Sequence, residues 1–90
     1  MHSGLRERRV RADKGKGMIY QFDGFGRMVA SHETFLDAAK WIKKHSYDLP
    51  YPAVAAETIA FYARLNDDLQ CLRYPCFGFW FSEYSFLGDL

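Results

Sequence analysis

Residues 18–32, MIYQFDGFGRMVASH, set the fold, because they read as a β-hairpin and commit the chain to a sheet from its first ordered segment. Ile19, Tyr20 and Phe22 suit a pleated, half-buried surface, and Met28, Val29 and Ala30 begin a second such run. Between the runs, Asp23, Gly24 and Gly26 tolerate the positive φ of a tight turn. Phe25 lengthens that turn beyond two residues. Its ring is placed either to pack back on the sheet or to meet a partner.

Toward the N-terminus the composition changes abruptly. Residues 1–17, MHSGLRERRVRADKGKG, contain only Leu5 and Val10 as large aliphatics and end in a Gly-Lys-Gly run, too little apolar surface to offset the entropy of ordering. They read as a flexible basic tail. Arg6, Arg8, Arg9, Arg11, Lys14 and Lys16 stand there against Glu7 and Asp13, a net of +4, within a chain whose formal charge is +1. Residues 18–90 therefore carry −3 and read as one small domain. Any affinity for a polyanion is expected to reside in the tail.

Toward the C-terminus, Thr34 followed by Asp37 approximates a capping box, and FLDAAKWIKKH continues with good helix formers, predicting a helix over 34–45. Lys43, Lys44 and His45 fall in its last turn, where positive charge complements the helix dipole. Pro50 and Pro52 make SYDLPYP a loop. Ala55, Ile59, Tyr62, Leu65, Leu69 and Leu72 then recur at intervals of three or four, predicting a second helix over about 53–70. That spacing puts Trp41, Ile59, Tyr62, Leu65, Leu69 and Phe79 in the core, and Glu57, Arg64, Asp67 and Asp68 on a solvated face. The closing segment RYPCFGFWFS lacks a helical period and reads as one strand over about 76–82, started by Pro75 and loosened at Gly78. The expected architecture is α+β, an antiparallel three-stranded sheet packed with two helices in the order β-β-α-α-β.

Several chemistries find no support in the sequence. Cys71 and Cys76 are too few for a disulfide framework and match no zinc spacing, so both are expected to be reduced structural thiols. No run approaches the roughly 18 apolar residues that span a bilayer, and no apolar stretch follows the basic N-terminus as in a secretory signal. A cytoplasmic location is expected. His2, His32 and His45 have no nucleophile or carboxylate pair at recognisable spacing and read as polar surface residues. Asp67 and Asp68 point about 100° apart on a helix and do not form a metal site. Gly15-Lys16-Gly17 and Gly24-Phe25-Gly26 lack the rest of a phosphate-cradling loop. The expectation is a non-enzymatic module with no cofactor and no metal.

Laid in order, IYQFDGFGRMVASH, FLDAAKWI, a second helix and CFGFWFS resemble the NUMOD-type DNA-binding modules of phage and intron-encoded homing endonucleases. The resemblance rests on Gln21, Asp23, Gly26, Ala38, Ala39, Gly78 and Phe79, with Trp80 one residue earlier than the usual tryptophan, and it covers about 65 residues. It implies a helix-turn-helix-like pair that contacts DNA. Residues 53–70 depart from that pattern, since Arg64 is their one base against Glu57, Asp67 and Asp68.

Three functions fit these features. A nucleic-acid module would track phosphates with Arg6, Arg8, Arg9, Arg11, Lys14 and Lys16. A protein-protein interaction or regulatory/inhibitor module would use the acidic helix face and the aromatic strand residues Phe77, Phe79, Trp80 and Phe81. A homodimer would pair the C-terminal strands.

Overall fold

A computed structural model of the chain describes residues 17–45, 49 and 51–88. The basic side chains from Arg6 to Lys16 lie outside the described residues, as does most of the loop between the helices. Within the described residues the elements run β1 (Ile19–Phe22), β2 (Met28–His32), α1 (Phe35–His45), α2 (Pro52–Leu69), β3 (Pro75–Cys76) and β4 (Phe79–Ser82), followed by a 3₁₀ turn at Ser85–Gly88. The α+β class is as expected. The sheet has four strands rather than three.

The extra strand arises because RYPCFGFWFS is a hairpin. Cys76 pairs with Phe79 and Pro75 with Trp80, so only Phe77 and Gly78 lie between the strands. Their φ angles are 53° and 82°, the positive pair that a two-residue type I′ turn requires. β4 also pairs antiparallel with β1, Gln21 facing Phe81, and the sheet order is β2-β1-β4-β3. β4 is thus an interior strand whose backbone is engaged on both sides. The expected dimer through C-terminal strand pairing would have only the two-residue edge strand β3 to use, and Pro75 in it has no N–H to donate.

The first hairpin forms as read. Asp23 Oδ1 accepts from the N–H groups of Phe25 at 2.9 Å and Arg27 at 3.0 Å, and these bonds, the Arg27 one foremost, hold its carboxyl below the usual range. Gly26 takes φ 79°. The register passes from Gln21 facing Ala30 to Phe22 facing Met28, which leaves Val29 as a bulge in β2.

Thr34 caps α1, its Oγ1 accepting from the Asp37 N–H at 3.0 Å. Both helices pack on the sheet face that carries Ile19, Phe81 and Cys76. Burial pushes the Cys76 thiol up to about 11, which keeps it protonated and inert. Phe22, on the opposite face by strand alternation, is also fully buried.

The expected core face of α2 is corrected. The helix buries Ala55, Ala56, Ile59, Ala60, Ala63, Asn66 and Asp67. Trp41, Tyr62 and Phe79 are half-buried against this core, Leu65 is half-buried and Leu69 is exposed. Small side chains win the inner face because Ala38, Ala39 and Ile42 of α1 lie across from them. Methyl groups on both sides let two helices approach toward the short end of the 8–10 Å range.

Asn66 joins α2 to everything that follows it. Its Nδ2 donates to the carbonyls of Tyr74 at 3.1 Å and Phe81 at 3.0 Å, and its Oδ1 accepts from the N–H groups of Arg73 at 3.0 Å and Tyr74 at 2.7 Å. Its own carbonyl takes the Cys71 N–H, while the Gln70 N–H bonds to the Asp67 carbonyl. With Gln70 at φ 52°, this is a Schellman stop. Asp67, expected on the solvated face, is buried and accepts from the Ser82 hydroxyl and the Glu83 N–H.

Asn66→Ala is expected to cost about 3 kcal/mol or more in chemical denaturation, because it strands several buried backbone groups at once. Asn66→Asp should be at least as damaging, since a carboxylate cannot donate to the Tyr74 and Phe81 carbonyls. Ile59→Ala should cost about 2 to 5 kcal/mol and Leu65→Ala about 1 kcal/mol or less. Equal losses at Ile59 and Leu65 would contradict the orientation of α2.

Candidate interaction surface

The residues that α2 turns away from the core form an apolar stripe. Val54, Thr58, Phe61, Leu65 and Leu69 fall within an arc of about 80° at 100° per residue, on the far side from Ile59 and Ala63. Val54 is 60% exposed, Phe61 57% and Leu69 50%, and Tyr51 at the head of the helix is 70% exposed. Exposed Glu57, Arg64 and Asp68 border the stripe along one side.

At its N-terminal end the stripe opens into a pocket of about 190 Å³ lined by Leu49, Tyr51, Val54, Ala55, Thr58 and Phe77. The residue that shapes it is Phe77. An aromatic side chain in the left-handed region is disfavoured by about 1 to 2 kcal/mol relative to an ordinary conformation. The turn nevertheless carries Phe77 at its first central position, and the ring forms part of the pocket wall. Such outliers concentrate where the surrounding structure has a use for them.

The aromatic residues expected to meet a partner are dispersed by the hairpin. Phe81 is fully buried in the core, so it cannot contribute to an exposed surface. Phe79 is half-buried, edge-on to Trp41 with centroids 5.5 Å apart. Trp80 is half-buried beside Gly24, and Phe77 alone of the four lines the pocket. Alternation on a strand sent Phe79 and Phe81 toward the helices, while the turn redirected Phe77. The acidic helix face is reduced likewise, because Asp67 is occupied internally.

Phe25, at the tip of the first hairpin, is 78% exposed, with the Arg27 guanidinium 5.5 Å from its ring centroid. Met28 and Val29 on the edge strand β2 and Leu36 on α1 are also exposed, away from the α2 stripe.

His32, expected on the surface, is buried. Its Nε2 lies 2.8 Å from Gln21 Oε1, and its ring meets Trp41 edge-on, while His45 stacks on the same indole at 3.9 Å. Gln21 Nε2 has no hydrogen-bond partner among the described residues. Burial lowers the His32 pKa, and the Asp37 charge opposes that only in part. Among the described residues no group of three or more His, Cys, Asp or Glu is placed to hold a metal ion. No helix among them is long and apolar enough to cross a membrane.

Compared with known protein families, curated proteins and solved structures, the chain matches none of them. The NUMOD resemblance therefore stands on its motif residues alone.

A pH dependence follows from His32. The unfolded imidazole takes up a proton as pH falls through about 6.5, and the folded one does so only at lower pH. Stability is therefore present above that value and declines on acidification toward the folded pKa. Thermal melts between pH 7.5 and 5.5 should show this decline, and His32→Gln should flatten it. An equally steep profile in His32→Gln would assign the effect to another group.

Proposed function

We propose that the chain is a protein-interaction module whose working surface is the outer face of α2 and the pocket at its head. One observation carries this reading. Val54, Phe61 and Leu69 lie on a single helical stripe that the described residues leave exposed, continuous with an apolar pocket. Scattered exposed apolar residues are ordinary, but a contiguous run of them along four turns of a rigid helix has the form of a groove-and-ridge docking site. Phe61 near the centre and Tyr51 at the pocket supply the aromatic anchors on which binding energy concentrates.

A second reading is favoured by the charge distribution. The +4 of residues 1–17 against −3 for the rest suits a phosphate-tracking arm on a body that itself repels DNA. The motif residues shared with NUMOD-type modules support the same direction. A reading helix with exposed Val54, Phe61 and Leu69 would offer bases few hydrogen-bonding groups, however, whereas recognition of base edges relies on them. On this reading the arm binds nucleic acid without sequence preference and the helix face serves a protein.

Peptide selection on the immobilised full chain, from a random display library, is expected to return amphipathic helical sequences that lose binding to Phe61→Asp. Binders indifferent to Phe61→Asp would overturn the helix-face reading. Titration with duplex DNA over a range of salt tests the arm. Six phosphate contacts predict a logarithmic slope of at most about −5. Deleting residues 1–17 should abolish it, and retention of sequence-selective binding by the truncated chain would move the reader to the helix pair.

A further inference from the structure

We infer that the occupant of the α2 face is a second copy of this chain, paired antiparallel about a dyad between Phe61 and Tyr62. This rests on the interaction reading above and deepens it. The stripe is palindromic in chemistry. A dyad at that point sets Val54 opposite Leu69 of the second copy, Thr58 opposite Leu65, and Phe61 beside the second copy's Phe61, about 1.5 Å apart along the axis. Every apolar position on the outer face thus meets an apolar or half-polar one, which is what a self-complementary two-fold interface demands.

The same register fills the pocket. Leu69 is exposed at the C-terminal end of α2, and the dyad carries it over Val54 of the other copy, at the mouth of the hollow between Tyr51, Val54, Thr58 and Phe77. Symmetry performs this insertion twice. A branched aliphatic side chain entering a hole between four others is the knob-into-hole contact of paired helices.

Charge distinguishes the two directions. Glu57, Arg64 and Asp68 lie on one flank of the stripe and are exposed. Parallel pairing would set this flank against the opposite, uncharged flank of the second copy's helix, so that none of the three would find a charged partner. Antiparallel pairing places Glu57 between Arg64 and Asp68 of the second copy, each offset by about 3 Å along the axis at 1.5 Å per residue. Asp68 is the one residue that this arrangement leaves unfavourable.

The surface is of a size to dimerise reversibly. At their exposures the four large side chains offer about 100 Å² each, and with Thr58 and Leu65 the stripe supplies roughly 500 Å² per copy. A total of about 1,000 Å² lies at the lower limit for a specific interface and suits a dimer that forms in the micromolar range.

Sedimentation equilibrium of the full chain from about 1 μM to 1 mM is the test, with thermal melts confirming that each variant folds. The parent is expected to follow a monomer–dimer equilibrium, and Phe61→Asp and Val54→Asp to remain monomeric. Arg64→Glu should weaken the dimer on the order of tenfold, because the dyad counts each change twice, and Asp68→Lys should tighten it several-fold. Parallel pairing would give neither response, since Arg64 and Asp68 would then face the uncharged flank of the second copy's helix. A chain monomeric at 1 mM, or a dimer indifferent to Phe61→Asp, overturns self-pairing. If Phe61-dependent peptides are still selected, the interaction reading survives that result; if they are not, both fall together.

Discussion

The contact between α1 and α2 is made largely by methyl groups, and most of the molecule follows from it. Ala38 and Ala39 lie across from Ala55, Ala56 and Ala63, with Ile42 and Ile59 filling the remaining volume. A close helix pair fits over a sheet whose strands are only two to five residues long. It also forces a consequence on the sequence. Once the inner face of α2 is given to alanine, the large side chains that the helix carries must lie elsewhere. Val54, Phe61 and Leu69 are outside because small residues are needed inside.

Asn66 and Asp67 complete the geometry that the alanines begin. Hydrophobic contact is non-directional and does not fix where the chain goes after α2. The Asn66 amide does, since its two donors and its acceptor are matched by backbone groups of residues 73, 74 and 81. Asp67 adds a second tie at Ser82 and Glu83. Together they hold the β3–β4 hairpin against the end of the helix. Polar groups so fully engaged specify one arrangement, because any slip leaves several of them buried and unpaired.

The hairpin at Asp23–Arg27, the cap at Thr34 and the extents of both helices were legible because each is written in local chemistry. The β3–β4 turn was not, because the usual signature is Asn-Gly or Asp-Gly and here Phe77 takes the left-handed position. The face of α2 was misread for a different reason. Two apolar stripes share the helix, one of alanines and one of large residues, and periodicity alone ranks the larger side chains as core. The signal that would have decided it was the opposing pair Ala38-Ala39, which demands small neighbours. A helix-interior Asn beside Asp was a further sign, since such residues are disfavoured there without a tertiary role. His32 was read as a surface residue because its partner, Gln21, becomes adjacent only through strand pairing.

The strained turn and the uncovered stripe are parts of one arrangement. Glycine or asparagine at position 77 would form the same turn more easily, yet either would remove the aromatic wall of the pocket. A residue kept against its backbone preference is best understood by where its side chain is placed, and Phe77 lines one pocket with Leu49, Tyr51 and Val54 at the head of the exposed stripe. The fold thus bears an unfavourable φ at one end of α2 and an exposed Leu69 at the other. Each is a defect when the domain is considered alone. Antiparallel pairing relates the two ends to each other, so that the side chain left out at one becomes the group that fills the space at the other.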